Sequence, residues 1–148
     1  SCFLRAASEE YQAFWTRRVD DELLVSPRGA TDLATPLLDA LAWGAGTIVI
    51  VSDGFENDPP GGAAEVLRVF QSKLARGGGP FIVHMNPVFD TESYAPRPIS
   101  DVIPTMGVRD AEDIPTMLGF ARFAAGACPL SELLAYLERR VRRLLFAR

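Results

Sequence analysis

One histidine, His84, and two cysteines, Cys2 and Cys128, stand in 148 residues. Zinc centres built on several His or Cys ligands therefore have almost nothing to draw on. The cysteines lie near opposite ends and in no metal-ligand spacing. They read as reduced thiols in a reducing compartment, and the chain as cytoplasmic. No apolar run reaches the ~18–20 residues needed to span a bilayer. Ser1–Ala7 has neither the basic start nor the long apolar stretch of a secretory signal. No Gly-x-Ser-x-Gly elbow is present, which argues against a serine hydrolase. Asp53-Gly54-Phe55 lacks the second acid of the Asp-x-Asp found in phosphoryl-transfer nucleophiles. The expectation is a binding protein and not an enzyme.

The composition that is present, 48% hydrophobic and 23% charged with a net charge of −4, is that of a globular chain. Residues 1–148 are expected to form a single domain, burying roughly two-thirds of their extended surface. Ser1-Cys2-Phe3-Leu4-Arg5 reads like the tail of a strand whose beginning is absent, so the chain is expected to be one part of a longer protein.

Thr47-Ile48-Val49-Ile50-Val51-Ser52 is a β-branched run with the length of a strand, of the kind buried on both faces. Asp53-Gly54 ends it, and Pro59-Pro60-Gly61-Gly62 breaks the chain before a helical pattern over 63–76. There Val66, Leu67, Phe70 and Leu74 recur at three- and four-residue steps. Gly77-Gly78-Gly79-Pro80 stops that helix, and Phe81–Met85 reads as the next strand. Strand, helix, strand implies a parallel sheet. Upstream, Thr31-Asp32-Leu33 opens a helix with Pro36 in its first turn and Leu37, Leu38 and Leu41 as its buried stripe.

Glu9–Leu24 is expected to be mostly helical, with Tyr11, Phe14, Trp15 and Val19 inward, and Cys2–Arg5 to be a strand. Residues 86–110 read as a long loop with one short strand near Asp101–Ile103. A helix follows from Asp113 to about Ala124. The last helix, 129–147, carries Leu130, Leu133, Leu134, Leu137, Val141, Leu144 and Leu145 on one face. His84, in an apolar strand, reads as a hydrogen-bonded core histidine. The fold class is thus α/β: a Rossmann-like, mostly parallel sheet flanked by helices.

In open α/β sheets ligands sit beyond the carboxyl ends of the strands. Asp53 follows the strongest strand, and Thr31 stands at the mouth of the helix leading into it. A hydroxyl and a carboxylate meeting there are hard oxygen ligands, suited to Mg²⁺, Mn²⁺ or Ca²⁺. Gly29-Ala30-Thr31-Asp32-Leu33, a leucine-rich helix, then Ile48–Gly54 resembles the second and third elements of the von Willebrand factor A domain. The resemblance covers residues 28–86 well and the remainder loosely. It implies a metal-ion-dependent adhesion site, with Thr31 from the second loop and Asp53 from the third. It also implies a partner protein whose carboxylate completes a divalent cation, Mg²⁺ being the family expectation. The first loop, Asp-x-Ser-x-Ser, occurs nowhere in the chain: either it belongs to another chain or a removed segment, or the chain is a reduced variant without a metal site.

Downstream, 63–76, 81–85 and 110–120 resemble the domain that ends the Ro/TROVE ring-shaped RNA-binding proteins. Bacterial A-domain proteins that work with MoxR-type ATPases are a parallel expectation within the superfamily. Glu56, beside Asp53, is a candidate partner contact or a solvated loop residue. Arg139, Arg140, Arg142 and Arg143 are candidate contacts for a partner protein, RNA or a membrane surface, or simply favourable charges at a helix C-terminus. The alternative to a cation-bridging module is a metal-free scaffold that assembles through a sheet edge and the final helix.

Overall fold

The computed structural model describes residues 10–16, 20, 29–74, 78–89 and 92–146. Helix α1 (Ala34–Trp43) begins where Asp32 Oδ1 accepts the backbone N–H of Thr35 at 3.0 Å. It ends at Gly44, whose φ of 80° is a left-handed cap that a side chain would strain. Strand β1 (Thr47–Val51) follows, then α2 (Gly62–Val69), which runs on as a π-turn over Phe70–Leu74. Next come β2 (Phe81–Asn86), β3 (Thr105–Gly107) and a 3₁₀ turn (Ala111–Asp113) closed by a reciprocal Asp110–Asp113 capping box. Helices α3 (Ile114–Ala124) and α4 (Leu130–Phe146) complete the described chain.

The strands lie in the order β1-β2-β3, all parallel. Thr47 pairs with Phe81 and Val51 with Met85; His84 pairs with Thr105 and Asn86 with Gly107. The sheet is flanked by helices, a Rossmann-like α/β architecture.

Successive strand residues point to opposite faces, and two cores result. Ile48 and Ile82 pack with Leu33, Leu37 and Ala40 beside α1 and with Ala63 and Leu67 of α2 on one face. Val83 and Met85 pack with Val108 and Ala121 on the other, with Ile114, Met117 and Leu118 of α3 against them. Leu67, Val83 and Met85 are fully buried. Each such side chain contributes on the order of 1.5–3 kcal/mol. Helix α4 packs on α3, beyond the second core and on the far side of the sheet from α1 and α2.

Several sequence expectations need correction. Residues 10–16 are irregular and not helical. Their aromatics serve as contacts instead, Phe14 meeting Trp43 edge-on at 6.4 Å between ring centroids. The remainder of the expected Glu9–Leu24 helix (residue 20 apart), and the Cys2–Arg5 strand, lie outside the described residues. The short strand is at Thr105–Gly107, because Asp101–Ile103 is used as a turn that sinks Ile103 into the first core.

Strand β1 is not buried on both faces along its length. Only β2 pairs with it among the described residues, and Val51 is 55% exposed. Leu38 and Leu74 point outward, since α1 and α2 bury Leu37 and Ala40, and Ala63 and Leu67, respectively. Among the described side chains of the α4 leucine face, Leu133 alone is buried and Leu137 is half-buried. Leu130, Leu134, Val141 and Leu145 are exposed.

Candidate functional site

Helix α1 leads into β1, so its first residues sit at the carboxyl end of the sheet, where β1 also delivers Asp53. Backbone hydrogen bonds join the two loops. The Thr31 N–H donates to Asn57 Oδ1 at 2.6 Å, and the Thr31 carbonyl accepts from the N–H groups of Asn57 and Asp58 at 3.3 Å each. Asp53 is exposed; its Oδ1 accepts the Phe55 N–H at 2.9 Å in an Asx-type turn. The Thr31 hydroxyl is used by no hydrogen bond to a described residue. Thr31 is therefore held by its main chain, which leaves the oxygen available.

Two neighbouring acids are otherwise engaged. Glu56 accepts the Ala63 N–H at 2.9 Å on both carboxylate oxygens, at the start of α2. That contact suits the positive end of a helix and makes Glu56 a cap and not a free ligand. Asp32 is held below the usual carboxylate range by the Thr35 side chain first and the Thr35 backbone second. Among the described residues, no group of three or more His, Cys, Asp and Glu is placed to hold a metal ion. Thr31 and the second oxygen of Asp53 are hard donors, which suits a Mg²⁺-like cation in kind. They are two donors, and Mg²⁺ takes six. The chain's described residues do not make a closed cation site by themselves.

Beneath this rim lies a buried polar network. His84 is fully buried in β2. Its Nε2 is 3.1 Å from both the carbonyl and the Oγ of Ser52, and its Nδ1 is 3.3 Å from Thr105 Oγ1. A carbonyl can only accept, so the ring proton sits on Nε2 and the Thr105 hydroxyl donates to Nδ1. That tautomer cannot take a proton from Ser52 at Nε2, so the pair is not arranged as nucleophile and base. Burial pushes the His84 pKa down, against smaller upward pulls from the Ser52 carbonyl and the Asp53 charge. The network ties all three strands at the level where Ser52 Oγ also accepts the Gly54 N–H at 3.1 Å.

The loop after β2 folds over the Asp53 turn. Asn86, fully buried, donates Nδ2 to the Arg97 carbonyl at 2.9 Å and accepts the Val88 N–H at 2.7 Å. That carbonyl lies 2.7 Å from where a Cβ on Gly54 would stand, and Gly54 has φ +79°. The guanidinium of Arg97 then covers the exposed Phe55 ring at 4.3 Å, a cation–π contact. Sequence reasoning passed over Asn86 and Arg97. One signal was present: Asn86 ends β2 as Asp53 follows β1, at the same rim.

Arg139 and Arg142 are exposed on α4 and Arg140 is half-buried. Arg143 lies on the same helix. All four belong to the layer outside α3, and no described contact joins them to Thr31 or Asp53. Among the described residues, no helix is long and apolar enough to cross a membrane. No protein-family model, curated protein or solved structure matches the chain.

Proposed function

We propose that this chain is a protein-interaction module of the von Willebrand factor A type, working in the cytoplasm and docking a partner at the carboxyl end of its sheet. The reading rests on the hydrogen-bonded junction of Thr31 with the 53–58 loop, which brings a free hydroxyl and an exposed carboxylate to one rim. In this reading Thr31 and Asp53 each give one oxygen to a Mg²⁺-class cation shared with the partner. The remaining donors are water, a partner carboxylate and a first loop from outside the described residues. The partner's carboxylate would then be recognised by one oriented, charge-assisted bond, and Phe55 under Arg97 offers an apolar neighbour to it.

Thermal unfolding with Mg²⁺ or Mn²⁺ against chelator tests this. A cation that binds only the folded chain stabilises it by roughly 1.4 kcal/mol at ten times its Kd. At cation concentrations high enough to fill an open site of two protein donors and water, the expected result is a rise in Tm for the natural chain and none for Asp53→Ala. No rise in either overturns the cation reading.

The second reading, a metal-free assembly subunit, then stands. It draws on β1, which pairs only with β2 among the described residues, and on the exposed Leu130, Leu134, Val141 and Leu145 of α4. A Ro/TROVE-like association with RNA draws on the likeness over 63–76, 81–85 and 110–120 and on the α4 arginines, and the acidic remainder of the chain works against it.

A further inference from the structure

We propose that Arg97 is a second anchor for the partner: its guanidinium, held over Phe55 beside the Asp53 turn, binds a second carboxylate of the same partner segment. The inference rests on the reading of this rim as the docking end. It names the partner's chemistry, a short segment with two acidic side chains.

Arg97 is fixed along its whole length. Its carbonyl accepts from Asn86 Nδ2 at 2.9 Å, and Asn86 is fully buried. Its Cβ and Cγ each lie 3.1 Å from where a Cβ on Gly54 would stand, so the stem runs along the turn that follows Asp53. Its guanidinium carbon stands 4.3 Å from the centroid of the Phe55 ring. Main chain, stem and head group are thus all placed by the fold. A side chain ordered before binding loses less freedom when a ligand arrives.

The head group is placed but not satisfied. Arg97 is exposed, and among the described residues no hydrogen bond or ion pair engages its guanidinium nitrogens. A cation–π contact sets the charge over a ring and gives the five N–H donors no oxygen. A carboxylate supplies two, in the fork geometry that guanidinium matches.

Asp53 is the nearest candidate within the chain, and it is not used. Both residues are exposed and meet at Gly54, yet the ion pair found among the described residues is Glu65 with Arg68. Asp53 Oδ1 is turned to the Phe55 N–H, and the Arg97 head group to the Phe55 ring. Phe55 therefore holds the two charges apart and leaves each one open. Glu56 is spent on the Ala63 N–H, and Asp58 lies on the Thr31 side of the loop, where its N–H meets the Thr31 carbonyl. A partner carboxylate on the Asp53 cation thus has a guanidinium beside it for the next acid. The Asp53 charge repels a dianion more than a carboxylate, which disfavours phosphate.

Protein-observed NMR of the whole chain with short peptides tests the proposal. The probes are acetylated, amidated Glu-Glu, Glu-Gly-Glu and Glu-Gly-Gly-Glu, each beside a twin whose second glutamate is glutamine, with Mg²⁺ present. The Arg97 Nε–H signal is assigned by its loss in Arg97→Gln. That side chain is exposed and the Asn86 bond goes to its backbone, so the variant is expected to keep its circular dichroism. At the best spacing the two-acid peptide is expected to bind the natural chain about two- to fivefold more tightly than its twin, the worth of one exposed charged contact. It is also expected to move the Arg97 signal further. In Arg97→Gln the twins are expected to bind alike. Arg97→Lys is expected to keep only part of the difference, since an ammonium lacks the planar fork. Equal binding of every pair of twins by the natural chain overturns the proposal. So does a difference that survives Arg97→Gln, or an Arg97 signal that inorganic phosphate moves further than any peptide does. Chelator separates the two readings: peptide binding that ignores it counts against the cation on Asp53, while the contrast between Arg97 and Arg97→Gln still decides the second anchor.

Discussion

The backbone N–H of Thr31 donates to Asn57 Oδ1 at 2.6 Å, and the Thr31 carbonyl accepts from Asn57 in return. One residue of the 53–58 loop thus clamps the entrance of α1 from both sides.

Asn57→Ala removes the side-chain half of this clamp. The pair is exposed, so the cost in stability is expected to be modest, about 0.5–1.5 kcal/mol by urea unfolding. The effect on any Mg²⁺-dependent rise in Tm is expected to be larger, because the loop that carries Asp53 is partly released from Thr31. An unchanged cation response with lowered stability would show that the clamp is structural alone.

Gly54→Ala is expected to cost more. Its φ of +79° is open to glycine and unfavourable for alanine, and a Cβ there meets the Arg97 carbonyl at 2.7 Å. Strain of this kind is worth about 1–3 kcal/mol. The loop over the turn also has to shift, which releases Arg97 from the Phe55 ring. A Tm within a degree or so of the natural chain would contradict the tight approach.

Leu67→Ala tests the first core. Leu67 is fully buried between α2 and the sheet, in the cluster shared with Leu37, Ile48 and Ile82. Truncation leaves a cavity, and the expected loss is about 2–5 kcal/mol by urea unfolding. Leu38→Ala, one turn along α1 from Leu41 and largely bare, is expected to lie within about 0.5 kcal/mol of the natural chain.

The contrast between Leu67 and Leu38 marks what local sequence carries. Thr47–Val51, Phe81–Asn86 and the helices between their glycine and proline stops are legible because β-branched runs and helix breakers act over a few residues. The shared end of Thr31 and Asp53 is legible too, since a helix that feeds a strand must begin at that strand's far end. Strand β3 is not, because Thr105-Met106-Gly107 has no period of its own and becomes a strand by pairing with His84–Asn86. The Asn86–Arg97 contact is hidden for the same reason: the Arg97 carbonyl that Asn86 bonds is brought near by the fold. For α1 and α4, amphipathic spacing announces an apolar stripe without saying which part of it meets its own domain.

His84 gives the pH dependence its sign. Burial among β1, β2 and β3 lowers its folded pKa below the ordinary value near 6.5, so the unfolded chain binds the proton first as pH falls. Stability from keeping the ring neutral is complete above about pH 6.5 and is lost as pH falls through that value towards the folded one. Below the folded value the group makes no further difference. Asp32 and Glu65, held low by hydrogen bonds from Thr35 and Arg68, titrate well below this window and do not confuse it. Urea unfolding between pH 7.5 and 5.5 should therefore show stability falling with acid, at a slope no steeper than about 1.4 kcal/mol per pH unit for one proton. His84→Gln should be less stable at pH 7.5, since it disturbs the bonds to Ser52 and Thr105, and should lose the slope. A slope that persists in the variant would place the responsible proton elsewhere, and a rise in stability with acid would mean the buried ring is held in its charged form.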